Sequence, residues 1–229
     1  MKDWGLKVRF IRWNEDKGRW VPVATKIDYE KGIIQTTKAV SGYVSMIFTP
    51  EPEFKDVKGN EWYDELLNIS VGLGFINGIP TANGVEFQGD KALTKAEFYT
   101  IVAKMFGADD SSLYSVLPYT SGLDNSNWYS VYQDLLITNG FINKVEDKAA
   151  MSSAITRLEA MVLLTKLAKV ADNAETVKAT KFSDAKDLGD IEILSSITGY
   201  TDGTLKPNNG LTRAEILSLI VKALESMGW

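Results

Sequence analysis

The 229-residue chain has no cysteine and no histidine. Without cysteine there is neither a disulfide framework nor a thiol nucleophile. Without histidine the commonest general base and the commonest transition-metal ligand are missing. Serine–histidine and cysteine–histidine catalysis are excluded, whereas carboxylate or lysine chemistry is not. Basic charge is also short: 25 Lys and Arg stand against 30 Asp and Glu, a net charge of -5. No basic stripe interrupts that balance, which argues against a nucleic-acid partner. No apolar run reaches the roughly 18 residues of a membrane span. No signal peptide opens the chain, so an exported protein would hold it as an interior or C-terminal fragment. Asn14-Glu15-Asp16 and Asp124-Asn125-Ser126-Asn127 are rich in oxygen but lack the ordered spacing of a calcium loop. No metal and no cofactor is expected.

What is present is a repeat. Leu93-Thr94-Lys95-Ala96-Glu97, Ile155-Thr156-Arg157-Leu158-Glu159 and Leu211-Thr212-Arg213-Ala214-Glu215 share one pattern: apolar, Thr, basic, apolar, Glu. Each copy is a capping box, in which the Thr oxygen accepts from the backbone three residues on and the Glu reaches back. An apolar helical face follows each time, as in Phe98, Ile101, Val102, Met105 and Phe106 after the first box. Gly107 stands where the first of these helices should stop. A second element precedes each box. Trp62-Tyr63 and Trp128-Tyr129 open parallel stretches that both end in Gly-Phe-Ile-Asn, at Gly74 to Asn77 and Gly140 to Asn143. Each reads as a helix closed by its glycine. The third copy starts at Phe182-Ser183-Asp184-Ala185, matching Phe54-Lys55-Asp56-Val57, but reaches its turn at Gly199 sooner than the first copy reaches Gly78. Its first helix is expected to be shorter by about two turns.

The expected fold is therefore mainly α: three helix–loop–helix repeats packed on one another. Residues 107–116 and 171–181 read as linkers. The first fifty residues differ, because alternation replaces helical periodicity and four extended stretches are separated by turns. They read as a small β-meander, the tail of an upstream domain, with Glu51-Pro52-Glu53 as hinge. The expected divisions are 1–50 for the meander and 51–116, 117–178 and 179–229 for the repeats.

In Phe54-x-Asp56-Val57, the Trp62 helix, Gly74-Phe75-Ile76-Asn77-Gly78 and Leu-Thr-Lys/Arg-Ala-Glu, the chain resembles the S-layer homology repeat. Thr198-Gly199-Tyr200-Thr201-Asp202-Gly203-Thr204-Leu205-Lys206-Pro207 in the third copy resembles that family's glycine-rich turn. The resemblance covers about residues 54–229. It implies that the three repeats form a pseudo-threefold bundle. The same resemblance implies an extracellular place in the cell wall or S-layer and a non-enzymatic role, holding a secreted protein to pyruvylated secondary wall polysaccharide in grooves between repeats. It also implies that the basic residue of the Thr-Arg-Ala-Glu motif contacts the acidic sugar, here Lys95, Arg157 and Arg213. The chain departs from the pattern where Lys95 replaces arginine. It departs again where Leu117-Pro118-Tyr119-Thr120 stands in place of Phe-x-Asp-Val, and where the third copy lacks the helix tryptophan.

The residues support that chemistry independently. A helix start presents unpaired N–H groups and partial positive charge, a ready anion site. A cation just after each cap opposes the dipole unless a carboxylate ligand accompanies it. These cations are expected at exposed helix starts, where the alternative is a solvated charge or a salt bridge to a neighbouring repeat. Trp62 and Trp128 are candidates to stack on sugar faces, or else to pack in the core. Asp56 and Asp184 are candidates to accept sugar hydroxyls, or else to cap a turn. Asn77 belongs to the turn, and Gly78, Gly199 and Gly203 are expected in left-handed turns open to close approach of a ligand. Two rival functions remain: a lattice module that self-associates, including through an upstream domain, and the accessory region of a wall-bound glycoside hydrolase acting through two carboxylates.

Overall fold

The computed structural model describes residues 6–15, 19–23, 25–28, 31–36, 42–50, 53–106, 126–170 and 174–227. The cap at Gly107, the linker 107–116, the Leu117 to Thr120 segment, the hinge at Glu51-Pro52, and Asp16, Asp124 and Asn125 of the oxygen-rich stretches lie outside these residues.

Near the N-terminus β1 (Leu6–Asn14) is the middle strand of an antiparallel sheet, with β2 (Arg19–Val23) on one side and β5 (Val44–Pro50) on the other. Phe10 sits between Val23 and Met46, and Arg12 between Val21 and Val44. Pro22 lies in β2, an edge strand, where its missing N–H breaks no ladder. β3 (Thr25–Asp28) and β4 (Ile33–Thr36) form a separate hairpin. The expected meander is thus corrected. Alternation identifies strands but not their partners, and the longest strand pairs on both edges while the hairpin stands apart.

In the first repeat α1 (Asp64–Gly72) ends at Gly74, whose φ of 80° lets Phe75 N–H fold back onto the Ser70 carbonyl. A hairpin of β6 (Ile79–Thr81) and β7 (Gly84–Glu86) follows, then α2 (Lys95–Met105). The second repeat has α3 (Ser130–Thr138), the short α4 (Lys148–Ser152) in place of a hairpin, and α5 (Arg157–Val170). The third has no first α-helix among the described residues. β8 (Thr176–Lys178) pairs with β9 (Glu192–Leu194) around two 3-10 turns, and α6 (Arg213–Ser226) completes it.

The mainly α expectation is overturned: six helices share the described residues with four small sheets, and the three units are built differently. In the third unit Gly189, at φ 61°, interrupts any helix after Leu188. The remaining Ile191-Glu192-Ile193-Leu194 is too short and too β-branched to restart one. It buries Ile193 and Leu194 as a strand instead, with Leu194 N–H donating to Thr165 Oγ1 of α5 at 3.1 Å. Part of the stretch read as a linker, Thr176–Lys178, is the partner strand.

The capped helices organise the core. Thr94, Thr156 and Thr212 each accept from the backbone N–H three residues on, and Glu97, Glu159 and Glu215 each reach back to the cap N–H at 2.8–3.0 Å. The apolar residue before each Thr closes a ring. Leu93 N–H donates to the Leu211 carbonyl, Leu211 N–H to Ile155, and Ile155 N–H to Leu93, at 2.8, 3.0 and 2.9 Å. These three side chains are water-excluded, and one continuous apolar cluster joins them to Phe98, Leu164 and Ile220 of the three helices.

Candidate functional site

The ring points each basic residue at the next unit. Because Lys95, Arg157 and Arg213 follow the bridged caps directly, their N–H groups donate to the Ser153, Asn209 and Lys91 carbonyls, all at 2.9 Å. Their side chains run into the seams between units. At 8%, 9% and 5% exposure, none is the solvated charge expected at an open helix start.

The three seams differ. Lys95 Nζ reaches Glu159 at 2.8 Å and Glu146 at 3.9 Å, both in the second unit. Burial raises the Glu159 carboxyl pKa, but hydrogen bonds from Lys95 and Thr156 outweigh it and leave the group below its ordinary range. Arg213 turns inward: Nε donates to the Phe87 carbonyl at 2.8 Å and one terminal nitrogen to the Asn77 carbonyl at 2.9 Å. Desolvation lowers its pKa, with Glu97 and Asp56 opposing. Arg157 donates Nε to the Leu205 carbonyl at 3.0 Å and lies 4.7 Å from the centre of the Tyr200 ring. Among the described residues its two terminal nitrogens donate to no protein group.

The aspartates hold the loops that these cations meet. Asp56 accepts from Phe87 N–H at 2.7 Å and Gln88 N–H at 2.6 Å; Asp184 accepts from Leu205 N–H at 2.7 Å and Lys206 N–H at 2.8 Å. Backbone donation from Leu205 leads in keeping the Asp184 carboxyl below its usual range. Each aspartate clamps a residue in the left-handed region, Gln88 at φ 56° and Lys206 at φ 52°, which costs roughly 1–2 kcal/mol without such support.

A family model of the S-layer homology domain matches residues 53–98 and 194–217. These spans hold the first Asp clamp, the first capped helix start, the Gly199 turn and the third capped helix start. Over these two spans the chain is similar to the S-layer homology domain. It is 23% identical to an amylopullulanase of Thermoanaerobacterium thermosulfurigenes over 97% of this chain and 12% of that protein. Over 87% of this chain and 25% of the relative it is 26% identical to an S-layer protein of Bacillus thuringiensis subsp. finitimus. It is 27% identical to a cellulosome-anchoring protein of Acetivibrio thermocellus, over 66% of this chain and 35% of that one. The chain thus spans little more than a third of these relatives' length at most.

The other candidates fall in distinct places. Trp62 and Trp128 are 65% and 61% exposed, each edge-on to the tyrosine that follows it. The Asn77 side chain is exposed while its carbonyl serves Arg213. Gly78 does not have the expected positive φ. It is small because a Cβ there would lie 2.2 Å from Val85 and 2.7 Å from Phe54. Gly199 meets both demands, with φ 71° and Phe182 2.5 Å from a Cβ, whereas Gly203, at φ 79°, faces open space. Sequence reasoning missed Tyr200, Lys206 and Glu146. Tyr200 and Lys206 belong to the stretch read only as a turn, and Glu146 carries no periodic signal.

Proposed function

We propose that this chain is an S-layer homology region and anchors a secreted bacterial protein non-covalently to the cell wall. It does so by binding a pyruvylated secondary wall polysaccharide in the seams between its units, without catalysis of its own. The observation that carries the reading is the buried guanidinium of Arg157. Its terminal nitrogens have no acceptor among the described residues and stand beside a half-buried tyrosine ring. A guanidinium fork matches both oxygens of a carboxylate, and a pyruvate ketal supplies one on a sugar. The exposed Trp62 and Trp128 are further surfaces on which a sugar can stack. In this reading residues 1–50 belong to the anchored cargo and 51–116, 117–178 and 179–229 to the anchor. The test is co-sedimentation with purified cell walls before and after acid extraction of the secondary polymer. Binding to intact walls that disappears after extraction supports the reading, and equal binding to both overturns it.

A further inference from the structure

The seam at Arg157 differs from the other two in the charge gathered around it. Lys206 Nζ lies 4.0 Å from the centre of the ring that Arg157 also meets, so two cations share Tyr200. Lys222 of α6 reaches Thr198 Oγ1 at 3.3 Å, and Lys181 reaches the Ile197 carbonyl at 3.0 Å, both on the strand of chain that leads into Tyr200. The carboxylates that face this group are Glu215, 3.4 Å from the Tyr200 hydroxyl, Asp184, which accepts from the Lys206 N–H at 2.8 Å, Asp202, and Glu225 near Lys222. None makes an ion pair within 4.0 Å with these cations among the described residues. Burial lowers the Lys222 pKa; Glu225 opposes that, and the like charges of Arg157 and Lys181 add to it. Crowded cations with slack counter-charge are costly without an anion and favourable with one.

The other seams lack this arrangement. At Lys95, Glu146 and Glu159 already supply the carboxylates that a ligand would bring. At Arg213 the corresponding left-handed turn position holds neutral Gln88 instead of Lys206, and Ile79 follows Gly78 where Tyr200 follows Gly199.

We propose that the Arg157 seam is the working groove of this chain, that Tyr200 and Lys206 determine its specificity, and that the Lys95 seam is closed to anions by Glu146 and Glu159. Arg157 takes the carboxylate, Tyr200 carries the sugar ring, and Lys206 with Lys222 meets a further negative charge on the same polysaccharide segment. The proposal rests on the anchoring reading above.

Calorimetric titration tests it, with oligosaccharides released from a pyruvylated secondary wall polymer and the same oligosaccharides after the ketal is hydrolysed. The proteins are the wild-type chain, Lys206→Gln, Lys222→Gln, Tyr200→Ala, Lys95→Ala and Gln88→Lys, each checked for wild-type circular dichroism. Lys206→Gln is structurally mild, because Gln88 holds the same backbone conformation in the first unit. The expected result is one site per chain. Lys206→Gln and Tyr200→Ala weaken it about ten-fold, Lys222→Gln weakens it less, and Lys95→Ala stays within about two-fold of wild type. Gln88→Lys adds a weaker second site at Arg213. Wild-type affinity in Lys206→Gln and Lys222→Gln, or loss of binding in Lys95→Ala, overturns the groove assignment while leaving the anchoring reading intact. If wild type binds neither oligosaccharide, or binds both equally, the anchoring chemistry itself fails and the groove assignment falls with it.

Discussion

Replacing Arg213 by alanine should destabilise the fold, even though the residue sits at a helix start where sequence alone suggests a dispensable charge. The side chain is 5% exposed and donates to two carbonyls of the first unit, on Phe87 and Asn77. A charge-assisted hydrogen bond is worth roughly 1.5–3 kcal/mol net, and the cost of burying the guanidinium cancels part of the pair. The net expected loss is about 2–4 kcal/mol, or a fall in Tm of roughly 5–15 °C for a chain of this size. Arg157→Ala removes one carbonyl partner, on Leu205, and should cost about half as much. Lys95→Ala breaks an ion pair whose acceptor Glu159 has a side chain 43% exposed, and should cost about 1 kcal/mol or less. Urea denaturation followed by tryptophan fluorescence and far-ultraviolet circular dichroism measures all three. The stability order Arg213, Arg157, Lys95 differs from the binding order proposed above, in which Arg157 leads. The two assays therefore separate architecture from recognition. Arg213→Ala within about 0.5 kcal/mol of wild type, as for an ordinary surface substitution, would refute the claim that this cation ties the third unit to the first.

Gly199→Ala should destabilise by about 2–4 kcal/mol, because the methyl must displace Phe182 or the Thr204 carbonyl, 2.6 Å away. Gly203→Ala, with open space, should cost only the left-handed penalty of about 1 kcal/mol; thermal melts showing equal shifts would contradict the packing role of Gly199. The depressed Glu159 carboxyl contributes stability that is present above its ordinary pKa and lost as pH falls through its lower folded value. Glu159→Gln, which keeps a capping-box side chain, should flatten the acid limb of a stability-against-pH curve, and an unchanged limb would exclude that contribution. Removing residues 182–229 strips Leu93 and Ile155 of their bridge partner Leu211. That chain should lose its sharp unfolding transition, and a wild-type melt by calorimetry would show that the units are independent.

The capping boxes and the faces built on Phe98, Leu164 and Ile220 were legible because both are local patterns, set by spacings of three and four residues. The direction of Lys95, Arg157 and Arg213 was not. A residue just after a cap is exposed on an isolated helix and becomes buried here only because Leu93, Ile155 and Leu211 bridge one another across long stretches of chain. The strand at Glu192–Leu194 was missed for a related reason: the repeat suggested a shortened helix, while Gly189 and Thr165 of α5 decide otherwise. Asp56 and Asp184 were recognisable as turn formers, but their clamps on Gln88 and Lys206 span more than twenty residues. Glu146 closes the Lys95 seam from a loop whose position no motif encodes.

The closed circuit of Leu93, Ile155 and Leu211 makes neighbours of the first and last units, since Arg213 and its backbone N–H both reach into the first. Spatial adjacency is therefore independent of the order of synthesis. A gene rearranged to begin at residue 126 and to join residue 227 to residue 53 through a flexible linker would encode every bridge described here, whereas one with a fourth unit inserted would have to break the circuit to admit it.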